Sequence, residues 1–153
     1  MDLYLETTNW AWGMLLIAAT TTIHAAGVVM MARVMIALRG RLTKRNLGAR
    51  HLVMDLIGVV ALVGIMLTIL HGVEATVWAA AYLWLGAFDT PFEALLFSLG
   101  SMTTAGAPGL ALARHWQMMS LMESLNGVLL FGISTAYVFA VMQDYWSLAS
   151  DGR

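Results

Sequence analysis

His71 and Glu74 stand at i and i+3, so on a helix an imidazole and a carboxylate share one face and can form a hydrogen-bonded pair whose charge varies with pH. Two roles fit such a pair, a structural clamp and a pH sensor. Glu123 and Asn126 repeat the spacing, and can together support the back of a loop packed against their helix. The competing reading places Glu123 at the interface marked by Arg114 and Trp116, where its carboxylate stays solvated. His24 and His71 could in principle hold haem between helices. His24, however, lies about 21 Å along its helix from Trp10, whereas His71 falls near the end of its own span, so the two are expected at different depths. No haem is expected, and His24 reads as a polar residue satisfied by a neighbouring helix. A dinuclear metal site needs Glu-x-x-His on two helices plus further glutamates, and only the reversed His71/Glu74 pair is present, so no metal is expected. There is no cysteine nucleophile or thiolate ligand, no Ser/His/Asp constellation, and no phosphate-loop lysine in the glycine-rich stretch Gly100 to Gly109. Catalytic residues and cofactors are therefore expected to be none, and the chain is not expected to be an enzyme.

The elements carrying these residues are apolar. Of 153 residues 60% are hydrophobic and 11% charged, a balance outside that of soluble domains. The chain reads as an all-α integral membrane protein whose first partner is the lipid bilayer. A net charge of -1 without a basic stripe argues against nucleic acid. Asp2 and Glu6 occupy the place of a basic leader segment, so a cleavable signal peptide is not expected.

Three spans are expected: one within 8–36, one from about His51 to His71 with a partly interfacial continuation carrying Trp78, Tyr82 and Trp84, and one from about Trp116 to Gln143. Ala94 to Ala113 is also free of charge, but Gly100, Gly106, Pro108 and Gly109 divide it. It reads as a re-entrant half-helix that breaks near Thr103 and returns as irregular backbone, which a bilayer tolerates only beside protein or a water-filled cavity. Its start is marked by Thr90-Pro91-Phe92-Glu93: a hydroxyl N-cap, proline at the first position and a capping-box glutamate at the third. Six of the eight basic residues, Arg33, Arg39, Arg41, Lys44, Arg45 and Arg50, fall between the first two spans. The positive-inside rule makes loop 33–50 and the C-terminus cytoplasmic and the N-terminus external, in a multi-pass protein of the cell (inner) membrane. Trp10, Trp12, Trp78, Trp84 and Trp116 then fall towards the outer interface and Trp146 towards the inner one. No repeat or linker divides 1–153, which reads as a single membrane domain.

A span, a capped half-helix, Ser101-Met102-Thr103-Thr104-Ala105-Gly106-Ala107-Pro108-Gly109, then a glycine-bearing span: this order resembles the pore module of tetrameric potassium channels. More narrowly, His71-Gly72-Val73-Glu74 with Trp78-Ala79 and Tyr82, Phe92-Glu93-Ala94-Leu95-Leu96-Phe97-Ser98, and Glu123-Ser124-Leu125-Asn126-Gly127 followed by Gly132-Ile133-Ser134-Thr135-Ala136 look like small bacterial proteins of that channel family. The resemblance covers 51–143 and leaves 8–36 as an added N-terminal span.

It implies a homotetramer, with or without other membrane subunits, whose filter-like segment Thr103 to Gly109 surrounds an axis and passes a monovalent cation such as potassium. Potassium filters replace the hydration shell with rings of backbone carbonyls, and their glycines adopt positive φ so that successive carbonyls face one axis. Thr104 and Gly106 match the family pattern of threonine, valine, glycine, aromatic, glycine, aspartate, and Ala105, Ala107, Pro108 and Gly109 depart from it. Proline fixes φ near -65° and restricts Ala107 before it, so the outer carbonyl ring cannot form in the usual way and selectivity is expected to be weak or altered. Thr103 and Thr104 either line the inner mouth or bond the free carbonyls ending the half-helix. Gly127 and Gly132 either hinge an inner helix or admit close helix contacts. The alternative function is a channel-fold subunit that does not conduct and serves an accessory or structural role in a larger membrane complex.

Overall fold

The computed structural model describes residues 2–42 and 49–151, with the side chains of 9–37, 54–144 and 146. Lys44 and Arg45 of the basic loop lie outside the described residues, as do the side chains of Arg39, Arg41 and Arg50. The described secondary structure is helical throughout: α1 (Asp2–Leu42), α2 (Ala49–Trp84), α3 (Pro91–Met102), a 3-10 turn (Arg114–Trp116) and α4 (Gln117–Asp151). Three stretches are long and apolar enough to cross a bilayer, Asn9–Ala37, Met54–Trp84 and Arg114–Asp144. At 29 to 31 residues each, they reach about 43 to 47 Å, more than a hydrocarbon core requires. Bulky apolar side chains such as Met14, Leu15, Val73, Leu121, Leu125 and Val128 point outward, a surface suited to acyl chains and not to water.

The second span does not end at His71. With no proline or charge pair to stop it, α2 continues to Trp84, where Gly86 (φ +70°) closes it. Gly86 N–H donates to Leu83 O (3.0 Å) and Ala87 N–H to Tyr82 O (2.8 Å), the paired bonds of a Schellman ending. Trp78 faces the protein interior. It lies on the buried face with Glu74, Ala75, Ala79 and Tyr82, fully enclosed.

The chain divides into two compact units, Met1–His24 with His71–Phe131, and Ala25–Leu70 with Gly132–Arg153. The first has a core of Trp78, Tyr82, Ala94, Phe97, Met102, Met119, Met122 and Leu130. Tyr82 meets Phe88 and Phe97 edge-on, with ring centroids 6.1 and 5.6 Å away. The second is built on Met31, Met35, Val63 and Leu67. There a Cβ on Gly27 would stand 2.7 Å from Leu70 Cδ2, so α1 and α2 approach closely at a residue without a side chain.

Candidate functional site

α3 begins as its capping residues predict. Thr90 is extended (φ -123°, ψ 143°), its Oγ1 accepts from Glu93 N–H (3.2 Å) and donates to the Glu93 carboxylate (3.0 Å), and Pro91 occupies the first turn. The helix has 12 residues, about 18 Å, too short to cross a bilayer. It stops at Thr103, whose hydroxyl donates to Leu99 O (2.6 Å) and Gly100 O (3.3 Å). Thr103 thus serves the free carbonyls of the half-helix.

From Thr103 the backbone is irregular until Arg114, apart from turns. Thr104 (φ +58°), Gly106 (φ +76°) and Gly109 (φ +81°) take left-handed conformations, so both residues that match the potassium-filter pattern are among the turning points. Gly106 N–H donates to Gly100 O (3.0 Å), and a Cβ on Gly100 would stand 2.5 Å from Gly106 O. The loop therefore doubles back on the end of α3. Thr103, Thr104, Ala105, Gly106, Pro108 and Gly109 are exposed in the single chain and Ala107 is half-buried.

α4 supports this end of α3 by three contacts. Ser124 Oγ donates to Ser101 O (2.9 Å), Ser101 and Ser120 share a hydrogen bond (3.1 Å), and Gly127 lies directly against Met102 O. Gly127 is thus a contact glycine, whereas a Cβ on Gly132 would meet nothing within 4 Å.

Glu123 is fully buried and not solvated at an interface. Its carboxylate accepts from Tyr82 Oη (2.9 Å) and contacts Ser98 Oγ, which also donates to Ala75 O (2.8 Å). One residue of α4 so ties α3 to α2. Asn126, one turn on, does not reach the loop: its Nδ2 donates to Thr20 Oγ1 (2.7 Å) and its Oδ1 accepts from Thr21 Oγ1 (3.4 Å), both on α1. Another tie to α1 is Asn9 Nδ2, which donates to His115 O.

His71 and Glu74 do form the predicted pair (Nδ1 to Oε2, 3.1 Å), but a third residue joins them. His24 Nδ1 lies 2.8 Å from Glu74 Oε1, and the two imidazole centroids are 5.2 Å apart. The expected difference in depth between His24 and His71 is overturned, because α2 extends past His71. His24 stands 12 residues beyond Trp12 and His71 13 residues before Trp84, and the rings of those tryptophans meet at 5.2 Å.

No family model, curated protein or solved structure matches this chain.

His24 is satisfied by a neighbouring helix as its sequence position suggests, through Glu74 of α2, whereas the hydrogen-bonding roles of Thr20, Ser98 and Tyr82 are not foreseen in the sequence. For α1 a signal was present: Gly13, Leu16, Thr20 and His24 follow three- and four-residue steps, placing the hydroxyl and imidazole on the buried stripe of an otherwise apolar helix.

Proposed function

We propose that the chain is one subunit of a membrane pore that passes monovalent cations passively, with weak or altered selectivity, several copies surrounding an axis lined by Thr103 to Gly109. The observation carrying this reading is α3 with its loop: a capped helix too short to span, lying between two spanning helices and followed by irregular backbone with three positive-φ residues. Irregular backbone at membrane depth needs protein or water around it, and further copies of the chain about an axis supply both. The C-terminal end of α3 directs partial negative charge to that axis, which favours a cation whatever the outer carbonyls do.

A second reading, a channel-like scaffold that does not conduct and serves a larger membrane assembly, is favoured by one specific feature. The Gly106 carbonyl lies against Gly100 of its own α3, so this carbonyl is turned to the chain itself. Reconstitution into vesicles with potassium inside and sodium outside separates the two. A pore gives cation flux with a reversal potential between the values for ideal potassium selectivity and none. Strong potassium preference overturns weak selectivity, and absence of flux moves the scaffold reading to the front.

A further inference from the structure

We propose that His24, His71 and Glu74 form a binding site for one divalent transition-metal ion of the zinc class, held between α1 and α2. This inference does not rest on conduction. One donor atom from each residue lies within 4.8 Å of the others. The two nitrogen-to-oxygen separations already formed are 2.8 and 3.1 Å. A tetrahedral ion with bonds of about 2.0 to 2.2 Å separates its ligands by roughly 3.4 Å, a few tenths of an ångström above the two separations already formed and within the 4.8 Å that bounds the three donors. Small side-chain rotations replace two hydrogen bonds by three metal bonds.

Two imidazoles and one carboxylate suit zinc and its neighbours better than calcium or magnesium, which prefer all-oxygen shells. Three protein ligands leave a fourth position for water. Because the ion carries two positive charges against one carboxylate, a bound hydroxide there would neutralise the remainder in so enclosed a place. Access is from the His71 side: its side chain is 12% exposed, while His24 and Glu74 are sealed at 0%. The rings stand too close for a porphyrin plane to enter between them, so they are donors to a single ion and not the two faces of a haem site. The channel resemblance begins at 51 and gives α1 no role; an ion shared by His24 of α1 and the His71/Glu74 pair of α2 makes α1 an integral part of the fold.

The test uses the full chain in detergent, stripped with chelator, dialysed against Zn2+ with an equimolar competing chelator, and read by native mass spectrometry. One Zn2+ per chain is expected. His24→Ala, His71→Ala and Glu74→Gln should each reduce occupancy to background, while His115→Ala, at an exposed histidine outside the cluster, retains it. Failure of the parent chain to take up the ion, or equal uptake by parent and cluster variants, overturns the site. Because His24 and Glu74 are fully buried and their replacement can unfold the chain, His71→Ala and the Co2+ spectrum of the parent protein carry the decision. Intense visible bands of tetrahedral Co2+, lost in His71→Ala, support the site. The weak bands of octahedral Co2+ overturn it.

Discussion

A Cβ on Gly127 would stand 2.1 Å from the carbonyl oxygen of Met102, so the end of α3 rests on the backbone of α4 with no room for a methyl group. Gly127→Ala must push the two helices apart. Overpacking of this kind costs about 1 to 3 kcal/mol, more than the roughly 1 kcal/mol of helix propensity that alanine gains over glycine. Gly132→Ala meets open space and keeps the propensity gain. Thermal unfolding in one detergent should show a lower midpoint for the first variant and an equal or higher one for the second. An unchanged midpoint for Gly127→Ala would mean that α3 does not depend on this contact.

Glu123 joins three elements, and its replacements should rank by hydrogen-bonding capacity. Ser98 has one hydroxyl proton and two oxygens within reach, Ala75 O and the Glu123 carboxylate. In Glu123→Gln the amide oxygen still accepts from Tyr82 and the amide N–H donates to Ser98, whose own proton goes to Ala75 O. Glu123→Ala strands the buried Tyr82 hydroxyl at a cost of about 1 to 3 kcal/mol and opens a cavity besides. Chemical or thermal unfolding should therefore find glutamine close to the parent and alanine well below it. Equal losses for both would show that the charge, not the bonding pattern, matters.

The contrast between α3 and the polar interior shows how far this sequence could be read. α3 announces itself because its signals are local: Thr90, Pro91 and Glu93 act on one another within one turn, and Gly106, Pro108 and Gly109 forbid a helix beyond it. Charge-free runs gave the three spans for the same reason. Glu74 and His71 were legible as a pair, being neighbours on one helix, but the approach of His24 depends on how α1 and α2 are paired, which no spacing within one helix encodes. A hydropathy pattern registers where apolar length suffices, not where the backbone stops, and the end of α2 at Trp84 is fixed by the turn at Gly86. Asn126 lies on the same face as Glu123 as its spacing required, yet one turn is enough to carry it from α3 to α1.

The Asn126–Thr20 bond joins α4 to α1, and it is relayed: Thr20 Oγ1 accepts from Asn126 and donates to Leu16 O (2.7 Å). A double-mutant cycle with Thr20→Ala and Asn126→Ala isolates the pair. Side-chain hydrogen bonds between membrane helices couple by about 0.6 kcal/mol on average and by less than about 2 kcal/mol, because the separated helices also find partners. A coupling in that range is expected from unfolding measurements in mixed micelles. A value near zero would mean that α1 is held by its apolar contacts and by its other polar ties, His24 to Glu74 and Asn9 to His115 O among them.

The loop makes the sharpest demand on the pore reading. Pro108 fixes its own φ, restricts Ala107 and removes an amide, while Gly109 turns at φ +81° immediately afterwards. Replacing Pro108 by Gly and Ala107 by Tyr together frees the backbone to present a further ring of carbonyls and restores an aromatic behind it, so potassium preference in vesicle flux should sharpen severalfold over the parent. Gly100→Ala acts in the opposite sense. Its Cβ would strike Gly106 O, and also Gly106 C at 2.7 Å, backbone atoms that yield only if the loop itself moves. Under the pore reading this single methyl, which acts by displacing the loop, should reduce flux strongly while leaving the folded helices intact by circular dichroism. If the double substitution and the parent are equally silent in vesicles, the loop is a structural turn packed on its own half-helix, and the chain belongs to an assembly in which another subunit carries the ions.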